Sequence, residues 1–283
     1  QAIAQDPEFA LAYVGLAESY GEASGSYLSP SEALPKQKKA LLKALELDNN
    51  LPKIHISLAQ TLIGFDHDWI GAEQSFRRAV ALAPDSASSR RELAWFLTWM
   101  GRTDEALEEL KIAKKLEPIA EIPVEMDIAM AFYVARNYEE AKKNFNLVLR
   151  SNPDFAPASR GIGWCLVMQN KLSEALSEFG KAQKMSDSNT SLAGIGYVQA
   201  KLNNKEAANE ILAEFQKRSA NGYVNSMVFA IVLTGLNDKK GAIEALEKSF
   251  AENYGLIWLK SDPFFDSLRG EPEFQKLLKK LGF

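Results

Sequence analysis

The chain has 283 residues, 46% of them apolar and 25% charged, with a formal charge of −4, an average globular composition without the clustered basic face that marks nucleic-acid binding. Its longest apolar stretches, such as 227–233, are far too short to cross a membrane as a helix. The lone Cys165 excludes a disulfide framework and a cysteine-based metal site.

Residues 1–5 followed by Asp6-Pro7 read as the closing turn of a helix. Ala2 stands five places before Pro7, as Ala79 stands before Pro84 and Ala113 before Pro118. This predicts a chain cut from a longer polypeptide, with a native chain carrying a short processed end as the alternative. Next come Tyr13, Leu16, Ala17 and Tyr20, then about eight extra residues at 22–29, then Gln37, Leu41 and Ala44. The extra residues read as a lengthened surface loop, with or without a role. From here the chain repeats itself. The second unit carries His55, Leu58, Ala59, Leu62, Ala72, Phe76, Ala79 and Pro84, and the third Leu93, Ala94, Leu97, Ala106, Leu110, Ala113 and Pro118. The fourth has Ile128, Ala129, Phe132, Ala141, Phe145, Val148 and Pro153. The fifth has Ile162, Gly163, Leu166, Ala175, Phe179 and Ala182. The sixth is weaker, with Ile195, Gly196, Ala208, Leu212 and Phe215, and the seventh has Phe229, Ala230, Leu233, Ala242, Leu246 and Ser249.

Pro84, Pro118 and Pro153 are 34 and 35 residues apart. A period near 34 with small residues at fixed places marks a helix–turn–helix solenoid. Small residues are needed where two helices of a unit cross closely, and larger ones fill the space around the crossing. Proline follows the second helix because it cannot continue one. Asp85, Asp104 and Ser173 are expected at helix starts, and Gly101 at a turn with positive φ. No stretch alternates with a two-residue period, so no sheet is expected.

These places match the tetratricopeptide repeat, which the chain resembles over nearly its whole length. The resemblance implies an all-α, right-handed helix–turn–helix superhelical solenoid of about seven units, one domain over residues 1–283. Residues 1–7 are the remnant of a preceding repeat, 8–257 the repeats and 258–283 a C-terminal cap. In the cap, Phe274, Leu277, Leu278 and Leu281 form one stripe, with Lys276, Lys279 and Lys280 off it, as a helix covering the open end of the last unit requires. Residues 261–278 and 65–84 also resemble the arrays of bacterial multidomain regulators, where the repeats follow a winged-helix, cyclase or protein-kinase module.

Chemistry leaves little trace. His67 lies between Asp66 and Asp68, but adjacent side chains diverge, so a turn before a helix is expected there, not a metal site. His55 reads as packing. Neither a Gly-x-Ser-x-Gly elbow nor a phosphate loop is present. The expectation is a non-enzymatic chain with no cofactor.

Binding leaves more. The resemblance places first helices on the concave face, where the inward places hold Arg91, Trp95, Trp99, Met130, Tyr133, Arg160, Trp164, Met168 and Tyr197, residue types enriched at interface anchors. Trp99 is expected as an exposed anchor, whereas Trp95 and Trp164 divide between groove and filler. Arg91 with Trp95 and Arg160 with Trp164, each four apart, share a face suited to cation–π contacts. Chaperone-docking members of the family hold a terminal carboxylate with Lys and two Asn. Here those places hold Arg91, Glu92 and Trp95, or Ile56, Ser57 and Gln60, so no chaperone-tail docking is expected.

The functional expectation is a protein–protein interaction scaffold, the C-terminal interaction or regulatory region of a larger bacterial signalling protein. Its partner would be a protein or peptide segment in the concave groove, with no nucleic acid and no membrane insertion. The alternatives are a small-molecule-sensing domain with its ligand near Trp95, Trp164 and Met168, or a stand-alone periplasmic or cytoplasmic assembly factor. The expected compartment is the cytoplasm, or the periplasm if a membrane segment precedes.

Overall fold

The computed structural model describes residues 2–23, 30–118, 121–252 and 256–283, with sixteen α-helices and no strand among them. After α1 (Ala2–Gln5) come seven helix pairs. They are α2 (Ala10–Ala23) with α3 (Pro30–Leu47), α4 (Pro52–Thr61) with α5 (Trp69–Leu82), and α6 (Ala87–Trp99) with α7 (Thr103–Leu116). Then follow α8 (Glu121–Val134) with α9 (Tyr138–Ser151), α10 (Ala156–Met168) with α11 (Leu172–Met185), α12 (Asn189–Lys201) with α13 (Lys205–Asn221), and α14 (Ser226–Gly235) with α15 (Lys239–Ala251). Two 3₁₀ turns, Ile257–Lys260 and Pro263–Leu268, lead to α16 (Pro272–Lys280). The pairs coincide with the units read from the period, and the fold is an all-α superhelical solenoid. Residues 22 and 23 end α2, while the rest of the 22–29 loop lies outside the described residues. No described helix is long and apolar enough to cross a membrane.

The turn inside each of units two to seven is built the same way. His67, Gly101, Arg136, Asn170, Asn203 and Asn237 all have φ between 53° and 78°, at the spacing of the repeat. The next residue donates its N–H to a carbonyl five places back, as Arg102 does to Leu97 and Asn137 to Phe132, which satisfies a carbonyl orphaned at the helix end. In four of these units that next residue also caps the second helix, whereas Arg102 and Lys171 make no side-chain cap. Asp68, Asn137, Asn204 and Asp238 accept from the backbone N–H of Gly71, Glu140, Ala207 and Gly241, a contact worth about 1 kcal/mol each. The capping expectation needs correction elsewhere. Ser86, not Asp85, caps α6, whereas Asp104 and Ser173 lie inside the first turns of α7 and α11.

Unit two carries one extra residue. Ala59 and Ala72 are 13 apart, whereas Ala94 and Ala106, Ala129 and Ala141, or Ala230 and Ala242 are 12 apart. The backbone absorbs the surplus as a π-helical turn at Leu62–Asp66, so Asp68 donates six places back, to Leu62, instead of five. Single π turns are the usual way a helix accommodates an insertion without losing its packing face.

The core is continuous from unit two onward. Ala59, Ala72, Ala94, Ala106, Ala129, Ala141, Ala230 and Ala242 are fully buried where helices cross, and Phe76, Phe145 and Phe179 fill beside them. The fit is tight enough to dictate glycine. A Cβ on Gly161 would lie 2.4 Å from Cζ of Phe145, and one on Gly194 2.5 Å from the Phe179 ring.

Candidate functional site

A tetratricopeptide array carries the first helices of its units on the concave face, and the chain's own C-terminal segment lies against those helices. Ser261 Oγ donates to the Trp99 carbonyl at 2.7 Å in unit three. The Tyr133 hydroxyl donates to Asp262 at 3.0 Å, and Arg136 donates to both oxygens of Asp266 at 3.0 and 2.8 Å, in unit four. Phe264 packs edge-on against Trp164 of unit five, at 4.9 Å between centroids, and Tyr197 of unit six, at 5.0 Å. In unit seven, Lys239 pairs with Glu271 and Glu247 with Lys280.

The segment then reaches back to unit two. Trp69 Nε1 donates to the Leu281 carbonyl at 2.6 Å, and the Trp69 ring stacks on Phe283 at 4.7 Å. His67 sits between Trp69 and Phe250, and burial lowers its pKa, which favours the neutral ring. One segment thus joins six consecutive units. Leu256, Ile257, Leu259, Phe265, Leu268, Phe274, Leu277 and Leu281 are all fully buried.

This corrects the expectation of a helix that only covers the open end of the last unit. α16 does adjoin α15, but the two turns before it line the groove. The reason is apolar content. The stretch from 256 to 265 carries more hydrophobic surface than one helix end can bury, and burial yields about 25 cal/mol per Å² wherever it is found.

The inward residues divide accordingly. Trp99 is only 8% exposed, not an exposed anchor, and Tyr133 and Tyr197 are 4% and 8% exposed. Trp164 meets Phe179 and Tyr197 as well as Phe264. These four form the bed of the C-terminal segment. Arg91, Trp95, Met130, Arg160 and Met168 are half-buried on the remaining face. Neither arginine lies over its tryptophan. The cation–π contacts among the described residues are Lys36 on Tyr20, Lys201 on Tyr197 and Lys260 on Phe283.

Arg91 instead binds Asp127 of the next unit at 2.7 Å, and Gln60 donates to Glu92 at 3.0 Å. Gln60, Arg91, Glu92, Trp95 and Asp127 line a cleft of about 260 Å³. Burial pushes the Asp127 carboxyl up to about 6, against the pull of Arg91. Sequence reasoning missed Asp127 and Glu92, although the 36-residue offset between Arg91 and Asp127 places them on neighbouring first helices.

Arg160 occupies in unit five the place of Arg91 in unit three. No carboxylate pairs with it among the described residues, and burial lowers its pKa. The place that holds Asp127 in unit four holds Gly194 in unit six, where the Phe179 ring excludes any side chain.

Among the described residues, no group of three or more His, Cys, Asp and Glu is placed to hold a metal ion. Burial pushes the Cys165 thiol up to about 12, so it is not a thiolate at neutral pH. Around His67 the two acids turn away, with Asp68 capping α5 and Asp66 paired with Lys38 at 2.6 Å. His55 is buried, with Nε2 against the Asn49 carbonyl.

The helix pairs and their continuous core define a helical-repeat array. The chain has the fold of a tetratricopeptide-repeat array. Residues 126–190 match the tetratricopeptide repeat family, and the other units repeat the same geometry. It is 29% identical over 119 residues to the transcriptional regulator HilA of Salmonella typhimurium, covering 42% of this chain and 21% of that protein. The chain thus spans about a fifth of the length of the curated relatives it matches. Among solved structures it is similar to PilW, a type IV pilus biogenesis factor, with a TM-score of 0.62 at 20% identity, over 80% of this chain and 98% of that one. It is also similar to a tetratricopeptide repeat protein from Parabacteroides merdae, with a TM-score of 0.58 at 14% identity, over 96% and 99%. At these identities the likeness is one of fold. No enzyme family is indicated among these matches.

Proposed function

We propose that the chain is the interaction or regulatory region of a larger bacterial signalling protein, and that it holds a partner segment along the strip of concave face its C-terminal segment leaves open. The observation that carries this reading is Arg160, a half-buried guanidinium with no carboxylate partner among the described residues. Removing a charge from water without a partner is costly, and a bound acidic group would offset that cost. Trp95, Met130 and Met168 beside this strip supply apolar area. The partial likeness to a transcriptional regulator supports a place within a larger regulatory protein.

The test is selection of binders from a random peptide display library, followed by binding to Trp95→Ala and Arg160→Ala variants. Selected peptides should lose most of their affinity for both. Binding unchanged by either substitution would show that partners dock elsewhere. The small-molecule alternative finds less support. Trp164 is already covered by three rings, and about 260 Å³ at Trp95 falls below the roughly 300–1,000 Å³ of ligand pockets.

A further inference from the structure

The open strip has two poles of opposite sign. Around Trp95, Arg91 contributes one positive charge while Glu92 and Asp127 contribute two negative ones, an excess of one negative charge in the cleft. Glu92 accepts only from the neutral amide of Gln60, so it keeps most of its capacity to accept. The indole of Trp95 lines the same cleft, and an aromatic face beside carboxylates suits a cation. Two units along, Arg160 supplies the opposite pole, because Gly194 stands where its acid would be.

Arg91 is satisfied within the chain, and its cleft lacks a cation instead. We infer that the strip recognises an extended segment carrying a Lys or Arg that enters the cleft at Glu92 and an Asp or Glu that pairs with Arg160. This rests on the reading of the strip as a partner groove. First helices of adjacent units pack side by side, about 8–10 Å between axes, so α6 and α10 lie about 16–20 Å apart. An extended chain advances about 3.3 Å per residue. The basic and acidic residues of the partner should then be about five or six positions apart. A helical segment, at about 1.5 Å per residue, would need a spacing about twice as long, and the library distinguishes the two.

The experiment pans a random peptide library, with segments about sixteen residues long to allow either spacing, on the full chain and on the Glu92→Lys/Arg160→Glu double variant. Helical content and melting temperature of the variant are compared first. Peptides selected on the unmodified chain should share a basic and an acidic residue about five or six apart, and those selected on the variant should carry the signs reversed. Milder Glu92→Gln and Arg160→Gln variants should each weaken the first group about tenfold or more, the loss expected for one charge-assisted hydrogen bond, without depending on how the double variant folds. Peptides without this charge pattern, or with the same pattern on both proteins, overturn the inference. If such peptides still need Trp95, the partner groove stands and only its polarity falls. If neither protein selects any peptide, both fall.

Discussion

Replacing Phe264 with alanine probes the seat of the C-terminal segment. The ring is 6% exposed and lies within 5.0 Å, centroid to centroid, of Trp164, Tyr197 and Phe265. Those residues belong to α10, α12 and its own turn, so few of the walls can move in to refill the space. Truncation of a buried Phe costs about 3–5 kcal/mol, and the loss of three edge-on ring contacts places this site in the upper half of that range. Units of a solenoid otherwise touch only their neighbours. A segment that bridges six of them should also raise the cooperativity of unfolding, so Phe264→Ala should broaden the transition as well as shift it. The assay is urea denaturation followed by circular dichroism and by tryptophan fluorescence, which Trp164 should report directly. Phe9→Ala is the control, since Phe9 is 45% exposed and surface changes usually stay within about 0.5 kcal/mol. A loss below about 1 kcal/mol for Phe264→Ala, with unchanged fluorescence, would refute the docking of this segment on the concave face.

Gly161→Ala should destabilise by about 1–3 kcal/mol through overpacking, since its Cβ would meet Cζ of Phe145 at 2.4 Å; thermal denaturation checks this. Asp262→Asn tests linkage. Burial raises the Asp262 carboxyl from 3.8 to about 6, so the folded state holds a proton that the unfolded state releases. The stabilisation is complete below about pH 4 and is lost as pH rises through about 6. Both hydrogen bonds to this side chain use Oδ1, which asparagine keeps. The stability of the unmodified protein relative to the variant should therefore fall between pH 4 and 7.5 by up to about 3 kcal/mol, at 1.36 kcal/mol per pKa unit; a flat difference across paired urea titrations would contradict it. Arg91→Ala should cost about 1.5–3 kcal/mol at pH 8 by leaving the Asp127 carboxylate unpaired, and the cost should shrink below about pH 6, where that carboxyl is already protonated in the folded state.

The sequence carried the fold well, because everything that builds a unit is local to it. Ala94 and Ala106, Gly101 and the phenylalanine at 145 or 179 each act on a neighbour within about one repeat. The π turn was also within reach, since the 13-residue interval from Ala59 to Ala72 breaks a spacing of 12 that the later units keep. The occupant of the groove was less accessible. Trp99 and Ser261 are 162 residues apart, and Trp69 and Leu281 212 apart, and no local pattern links them. An aromatic side chain at an inward place looks the same whether it awaits a partner or receives its own chain terminus. The available signal was surplus, namely Leu256, Ile257, Leu259, Phe264 and Phe265 ahead of an already amphipathic helix. The ion pair of Arg91 was hidden for a related reason, because its acid, Asp127, comes from the next unit.

The central claim is that residues 257–283 lie along the concave face, and a cross-link tests it most directly. A Cβ on Gly101 would lie 3.9 Å from Cβ of Ser261, within the range of about 3.5–4.5 Å that a disulfide needs. The left-handed backbone at 101 makes cysteine there cost about 1–2 kcal/mol, which the array should tolerate, since Arg136 and His67 hold the same conformation in their units. With Cys165 replaced by alanine, Gly101→Cys/Ser261→Cys should oxidise to one intramolecular disulfide, identified by peptide mapping, with helical content unchanged. Gly101→Cys/Ser267→Cys should stay reduced under the same conditions. Persistent free thiols at 101 and 261 in the folded protein would contradict the account.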